Sequence, residues 1–266
     1  MAAPPEPGRP AAEFAPAPVD ASAPRYAMTL LKTDAAVGIN DRGEVVCGTG
    51  GEALLWYRGK VRRLVPPLEY PQASLTPEAI NNQGQVVGSG VESYQGAYTT
   101  FEEFHFWWEG GRTRVGKGPR IDKAANRRGQ RVGSAAIGPE YTHDTMDPES
   151  HETTTTTARG PRALLWGPNG ARELGTLGGT YSEAHALNDR GQAVGEAATP
   201  SEAEHAVLWQ RGKIYDLNAL VVDRKGVVLQ TAHDINNAGQ IVGETASGQA
   251  FLLTPVPAGR RRAPGR

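Results

Sequence analysis

The sequence predicts an all-β protein that folds as a five-bladed β-propeller. Each blade is a four-stranded antiparallel sheet, and the N-terminal strand closes the last blade. Glycine and proline account for 33 and 20 of the 266 residues, which is typical of short elements joined by many turns. One β-rich unit recurs five times, and its last copy lacks a strand that the start of the chain can supply. We expect the propeller to span residues 26–257, between a disordered Ala/Pro-rich N-terminus (1–24) and a disordered basic tail (258–266).

Each unit contains a turn of the form Asn-x-x-Gly between two apolar strands. The five turns begin at Asn40, Asn81, Asn126, Asn188 and Asn236. Propeller repeats run about 40–50 residues, so the longer gap between the third and fourth turns predicts an insertion. A glycine at the same offset in every turn is typical of a hairpin that needs one residue in the left-handed region.

The second half of each of the first four units is a short strand that ends on tryptophan and enters another glycine turn. We expect these tryptophans to pack between neighbouring blades; they are Trp56, Trp108, Trp166 and Trp209. The fifth unit stops after its third strand, Ala250–Leu253, and Tyr26–Leu31 resembles the fourth strand of the other units. A ring closed by the chain start is therefore predicted, with an open solenoid as the alternative.

Composition excludes several classes of protein. Lys plus Arg number 28 against 29 Asp plus Glu, so no nucleic-acid partner is expected. No apolar run approaches the length of about 20 residues that spans a bilayer, so no membrane association is expected. Cys47 is the single cysteine, which excludes an intrachain disulfide and favours a small buried residue over a nucleophile. The chain shows no export signal, which favours a cytoplasmic location.

Several motifs resemble the HAF repeat family, named for a His-Ala-Phe motif. They are the Ile-Asn-[Asn/Asp]-x-Gly-Gln-x-Val-Gly core of the repeats and the segments His205–Trp209, Leu174–Ser182, Asp216–Leu220 and Ala250–Val256. The resemblance covers about residues 26–257. It implies a β-propeller-like architecture and an extracellular location, which is the alternative to the cytoplasmic one, and it implies no general activity.

Functional residues are expected where the five units differ. The residues three positions before the turn asparagines are Val37, Glu78, Lys123, His185 and His233. If this strand is innermost, they crowd the channel together with Asp122, Glu183 and Asp234. Histidine beside carboxylate is suited to acid–base chemistry or to metal binding, whereas polar lining of a wet channel is the simpler interpretation.

Length varies only on the face opposite the Asn-x-x-Gly turns, in residues 89–103 and 134–161, and loops of this kind usually carry function. The first insertion holds Tyr94 and Tyr98, which could stack on a sugar or anchor a partner, or pack over a blade edge. Residues 143–152 of the second are rich in His, Asp and Glu but lack the spacing of a known metal site. We expect no metal and no cofactor.

Three functions remain open. The first is a monomeric, non-catalytic propeller that binds a glycan, a small ligand or a protein partner through its variable-loop face. The alternative is an enzyme at the channel mouth, a glycoside-active hydrolase or lyase that uses carboxylate and histidine side chains from different blades. The third is a scaffold without a ligand. Fold alone does not choose between them.

Overall fold

The computed structural model describes residues 23–94, 99–116, 118–146 and 153–257, with the backbone alone for 140–146 and 153–158. Within these residues the protein is all-β, with nineteen strands and one single-turn helix, α1 (Leu217–Leu220). No helix among them is long and apolar enough to cross a membrane. Residues 1–22, Tyr98 and 258–266 lie outside the described part, whereas Ala23 is described and buried in an apolar cluster.

The strands form five antiparallel sheets, one for each repeat. In the first and second sheets the strands are β2 (Ala36–Ile39), β3 (Val45–Thr49), β4 (Glu52–Tyr57), β5 (Lys60–Arg63), β6 (Ser74–Ile80), β7 (Val86–Tyr94), β8 (Thr100–Glu109) and β9 (Arg112–Val115). In the third and fourth they are β10 (Arg131–Met146), β11 (Thr153–Gly167), β12 (Gly170–Glu173), β13 (Ser182–Leu187), β14 (Ala193–Ala198), β15 (Glu204–Gln210) and β16 (Lys213–Asp216).

The fifth sheet contains strands from both ends of the described chain. It consists of β17 (Leu229–Ile235), β18 (Ile241–Thr245), β19 (Ala250–Pro255) and β1 (Tyr26–Leu30). β1 pairs with β19 from Tyr26 opposite Pro255 to Leu30 opposite Phe251, and the Leu31 N–H extends the pairing to the Ala250 carbonyl at 2.9 Å. The prediction that the N-terminal strand completes the last repeat is therefore confirmed.

The Asn-x-x-Gly turns are built as the repeats predict. In the first, the Asn40 side-chain oxygen accepts the N–H groups of Arg42 and Glu44 at 3.1 and 3.0 Å. Gly43 donates its N–H to the Asn40 carbonyl at 2.9 Å and has a φ of 78°. The glycine at this offset has a positive φ in all five turns, a conformation that strains residues with a side chain.

The turns also bind to one another through two parallel sets of hydrogen bonds, which we call the Asn clasp. In the first set the turn asparagine donates its side-chain amide to the carbonyl of the next turn asparagine: Asn40 to Asn81, Asn126 to Asn188, Asn188 to Asn236 and Asn236 to Asn40. In the second set the following residue donates its N–H to the corresponding side-chain oxygen: Asp41 to Asn82, Arg127 to Asp189, Asp189 to Asn237 and Asn237 to Asp41. Neither set, among the described residues, joins the second turn to the third.

Sequence explains where the second set of clasp bonds stops. The acceptor in the second set is an Asp or Asn side chain in four repeats, but the third repeat has Arg127 at that position. A guanidinium group has donors and no acceptor, so Arg127 cannot receive the N–H of Asn82.

Apolar clusters follow the same pattern. Four clusters of buried side chains join the first sheet to the second, the third to the fourth, the fourth to the fifth and the fifth to the first. In the described part of the chain no such cluster joins the second sheet to the third. Trp108 and Trp209 are 5% and 3% exposed, but Trp166 is 37% exposed. The prediction for Trp166 is wrong because no apolar surface of the second sheet covers it.

The third sheet is also irregular at its inner edge. It has three strands, and residues 118–126 run where the other sheets have an innermost strand. This segment touches β10 through an isolated bridge between Ala125 and Arg131 and through the Val132 N–H, which donates to the Ala124 carbonyl at 2.8 Å. We call the facing surfaces of the second and third sheets, with residues 118–126 between them, the second–third seam.

Candidate functional site: the bulge residues and the second–third seam

The residue three positions before the turn asparagine has a distinct backbone geometry. The strand pairing shifts register around Val37, Glu78, His185 and His233, which makes each the extra residue of a β-bulge. A bulge re-aims the side chain that it carries and is frequent beside functional sites. Lys123 is the corresponding residue of the third repeat. The comparison of the repeats therefore identified a position at which the strand bulges in four of the five sheets.

The bulge explains the glycine that follows Val194. A Cβ atom added to Gly195 would lie 2.0 Å from the Glu183 carbonyl oxygen, because the bulged strand approaches this residue closely. Gly243 has the same relation to the Thr231 carbonyl, also at 2.0 Å. These glycines are required by close backbone contact.

Lys123 connects the third repeat to the first and the second. Its ammonium group donates to the Val37 carbonyl at 2.9 Å and to the Glu78 carbonyl at 3.1 Å. Lys123 and Glu78 therefore meet as the sequence suggested, but through the backbone of Glu78. Asp122 caps the Ala124 N–H and pairs with Arg131 at 2.9 Å, which places it beside the second–third seam.

The fourth and fifth repeats place two histidines side by side. The ring centroids of His185 and His233 are 6.0 Å apart. The His185 Nε2 atom lies 3.8 Å from a Glu196 oxygen, and the His233 Nε2 atom lies 3.6 Å from a Glu244 oxygen. The His233 Nε2 atom is buried and has no hydrogen-bond partner among the described residues.

Glu196 is the most densely bonded carboxylate of this group. It accepts hydrogen bonds from the Tyr181 hydroxyl at 2.6 Å and the Thr231 hydroxyl at 2.5 Å. Burial raises its pKa, but bonds from His185, Thr231 and Tyr181 outweigh burial and bring the pKa down to about 2. The Tyr181 hydroxyl also lies 3.1 Å from Glu183, so one tyrosine occupies the space between the two carboxylates.

His233 and Asp234 also have shifted pKa values. Burial, with the positive charges of His185 and Lys123, lowers the pKa of His233 to about 4. Burial raises the pKa of Asp234 to about 6, although Lys123 and two backbone N–H groups oppose it. Asp234 accepts those bonds from Ile39 at 2.9 Å and Ile235 at 2.8 Å, and so ties the fifth sheet to the first.

The sequence analysis did not identify Tyr181, Glu196, Thr231 and Glu244. A signal for two of them was present, since the fourth and fifth repeats read Val-Gly-Glu where the second and third read Val-Gly-Ser. The same two repeats carry the histidines. Among the described side chains no group of three or more His, Cys, Asp or Glu is placed to hold a metal ion.

Aromatic residues of the first insertion and its end differ in burial. Tyr94 ends β7 and is 44% exposed, whereas Tyr98 lies outside the described residues. Phe104 is buried and stacks on Tyr70 with ring centroids 4.2 Å apart, while Phe101 is 69% exposed. Phe104, which follows this insertion, therefore packs over the sheet, and a role for Tyr94 in binding stays a prediction.

A polar pocket of about 360 Å³ opens at the Asn-x-x-Gly turns, on the face opposite the variable loops. Three of the predicted residues line it, namely Asp122, Lys123 and Asp234, together with Arg120 and Arg127. Residues of all five Asn-x-x-Gly turns line this pocket, among them Asp41, Asn82 and Asn237.

The outer part of the second–third seam exposes aromatic and basic side chains. Side chains alternate along a strand, so Trp107 and Arg114 face the third sheet while Trp108 packs against the first. The Arg114 guanidinium lies over the Trp107 ring, 4.5 Å from its centroid. On the third sheet, Arg131 and Trp166 are paired neighbours that face the second.

Comparisons of the chain with models of protein families, with curated proteins and with solved structures found no match, so the site rests on its own geometry.

Proposed function

We propose that the five sheets are the blades of a five-bladed β-propeller, and that the protein is a non-catalytic binding module. The Asn clasp supports a ring, since its bonds run from the third repeat through the fourth, fifth and first to the second. Pairing of β1 with β19 supports closure of the last blade. The resemblance of the repeats to the HAF repeat family belongs to the same proposal.

The main support for a binding function is that one interface between neighbouring sheets differs from the other four. Four interfaces have an apolar cluster, whereas the second–third seam has exposed Trp166, half-buried Trp107 and arginines. Exposed aromatic and arginine side chains are the groups that most often anchor partners. The two longest hairpins, β7–β8 and β10–β11, belong to the two flanking sheets, so the variable-loop face begins at this cleft.

The ligand is a glycan, a small molecule or a protein segment, and one experiment separates binding from its absence. Wild-type protein, Trp166→Ala and Val222→Ala are applied to a glycan array and a peptide array and are tested by thermal shift with a small-molecule library. Val222 is 60% exposed in a loop of the fourth repeat and serves as the matched control. We expect a retained probe whose affinity falls at least about tenfold in Trp166→Ala alone. Blank arrays and no thermal shift, or equal retention by all three proteins, contradict the proposal.

A second candidate is the glycoside-active hydrolase or lyase, supported by the His233 Nε2 atom, which has no hydrogen-bond partner among the described residues. A neutral imidazole next to Glu244 is suited to act as a general base. The tyrosine between Glu183 and Glu196 argues against a carboxylate pair that flanks a sugar. Chromogenic glycosides and uronate polysaccharides test this candidate, with Glu244→Gln and His233→Gln expected to abolish turnover. No turnover by the wild-type protein would exclude it for those substrates.

A further inference from the structure

In the described part of the chain, backbone N–H groups on the inner edge of β10 have no backbone acceptor. In the fourth sheet the Ala198 N–H donates to the Tyr181 carbonyl at 2.9 Å, and in the first the Gly48 N–H donates to the Ala35 carbonyl at 3.2 Å. The corresponding residues of the third repeat are Ala136 and Ser134. They follow Val132 at two-residue steps, so their N–H groups point to the same inner edge. Among the described residues, no backbone carbonyl accepts from either of them on that edge.

The linking segment explains this gap. Gly118 and Pro119 stand where a regular inner strand would begin, and both residue types are disfavoured in strands. Residues 118–126 reach β10 only at its start, through Ala124 and Ala125. An unpaired strand edge of this kind is a template for an added strand.

Positive charge predominates at this edge of β10. Residues 112–131 contain six arginines and two lysines against one carboxylate, Asp122. Asp122 is shared between Arg131 at 2.9 Å and Arg120 at 3.7 Å, and the Arg120 and Arg127 side chains are 82% and 83% exposed. A chain with a formal net charge of only −1 therefore has a local excess of positive charge at the seam, which attracts an acidic partner.

An apolar contact lies next to the free edge. A Cβ atom added to Gly133 would lie 3.2 Å from the Trp166 ring, so the exposed indole covers the strand where the free edge begins. In strand addition the main chain supplies hydrogen bonds and alternate side chains supply specificity.

We propose that the second–third seam binds an extended acidic peptide, which adds as a strand to the inner edge of β10. Its backbone carbonyls accept the N–H groups of Ser134 and Ala136. Its carboxylates pair with Arg131, Arg120 and Arg114, and an apolar side chain packs on Trp166. This inference rests on the proposed binding function and names the class of partner.

The test uses a fluorescein-labelled acetyl-Glu-Leu-Glu-Leu-Glu-Leu-amide peptide, with the Lys-Leu peptide of the same length as the control probe. Binding to the full chain is measured by fluorescence anisotropy. Ala136→Pro removes one edge N–H but spares the β10–β11 ladder, since proline is accepted where the N–H faces away from the ladder. Ala136→Val keeps the N–H and is the matched variant.

We expect the acidic peptide to bind and the basic one not to bind. Affinity should fall at least about tenfold in Ala136→Pro, change less than about twofold in Ala136→Val, and weaken with added salt. Equal binding by both variants overturns strand addition. If a glycan or an oligo(dT) probe binds in a Trp166-dependent manner and the peptide does not, this inference fails while the binding function stands. If no probe binds, both fail.

Discussion

The side-chain amide of Asn236 donates to the backbone carbonyl of Asn40 at 3.0 Å, although 196 positions separate them in the chain. The bond repeats, between the last unit and the first, the contact that Asn188 makes with Asn236. The turn asparagine therefore forms hydrogen bonds within its own turn and also to the next turn. Because a hydrogen bond contributes about 0.5–1.5 kcal/mol net, the clasp as a whole matters more than any single member.

The first prediction concerns Arg127, where the clasp is interrupted. Arg127→Asn supplies the missing acceptor for the Asn82 N–H, whereas Arg127→Ala removes the same exposed ion pair with Asp189 and supplies none. We expect Arg127→Asn to be more stable than Arg127→Ala by about 0.5–1.5 kcal/mol in urea denaturation. Equal midpoints would show that the side chain at this position does not interrupt the ring.

The second prediction concerns the closing strand. Tyr26 is 1% exposed within the cluster between the fourth and fifth sheets, while Thr29 on the same strand is exposed. Truncation of a large buried aromatic side chain costs about 3–5 kcal/mol. We expect Tyr26→Ala to lower the free energy of unfolding by about this amount, and Thr29→Ala to change it by less than about 0.5 kcal/mol. Similar losses in both variants would contradict a specific role for closure.

The local unit of this fold could be predicted from sequence, because its determinants lie within a few residues of each other. Asn40 and Gly43 are three positions apart, and the left-handed conformation of the glycine is a requirement that the sequence records. The pairing of Tyr26–Leu30 with the last repeat followed from counting strands. In each case the pattern in one repeat could be checked against the others.

Contacts between repeats could not be predicted in this way. The role of Arg127 becomes visible only from the bonds between the other turns, which show that an acceptor side chain stands at this position. Trp166 has the same sequence context as Trp209, yet it is exposed because Pro119 and the segment around it leave the facing surface uncovered. Glu196 and Glu244 were recognisable as differences between repeats, but the hydrogen bonds of Glu196 come from Tyr181 and Thr231, which no pattern links to it.

The third prediction tests the second–third seam through its tryptophan. Trp166 and Trp209 occupy the same position in adjacent repeats, at 37% and 3% exposure. We expect Trp209→Ala to cost about 3–5 kcal/mol, and Trp166→Ala to cost less than about 1 kcal/mol. Denaturant titrations of both variants provide the comparison. A loss in Trp166→Ala that approaches the one in Trp209→Ala would mean that the seam is packed in solution.

The fourth prediction uses the close backbone contact at the bulge. Gly195→Ala places a methyl group against the Glu183 carbonyl oxygen, whereas the nearest atoms to a Cβ at Gly133, the equivalent residue, belong to the exposed Trp166 ring. Overpacking of this kind costs about 1–3 kcal/mol or more. We therefore expect thermal unfolding to shift to a lower temperature in Gly195→Ala and little in Gly133→Ala. An equal shift would mean that the third repeat has the same bulge.

The last prediction concerns stability in acid. The pKa of His233 falls from the ordinary value of 6.5 to about 4 in the folded protein, so the unfolded chain binds this proton first as the pH drops. Stability from the neutral imidazole is therefore complete above pH 6.5 and is lost between about 6.5 and 4, by an amount on the order of 2–3 kcal/mol. His233→Gln cannot take up the proton, so its free energy of unfolding should fall less across this window, whereas His105→Gln, at an exposed position on β8, should follow the wild-type protein. Urea titrations at pH 7, 5 and 4 measure the difference. Parallel pH profiles for His233→Gln and the wild-type protein would contradict this assignment, because Asp234 and Glu196, whose pKa values are also shifted, are present in both proteins and affect both profiles alike.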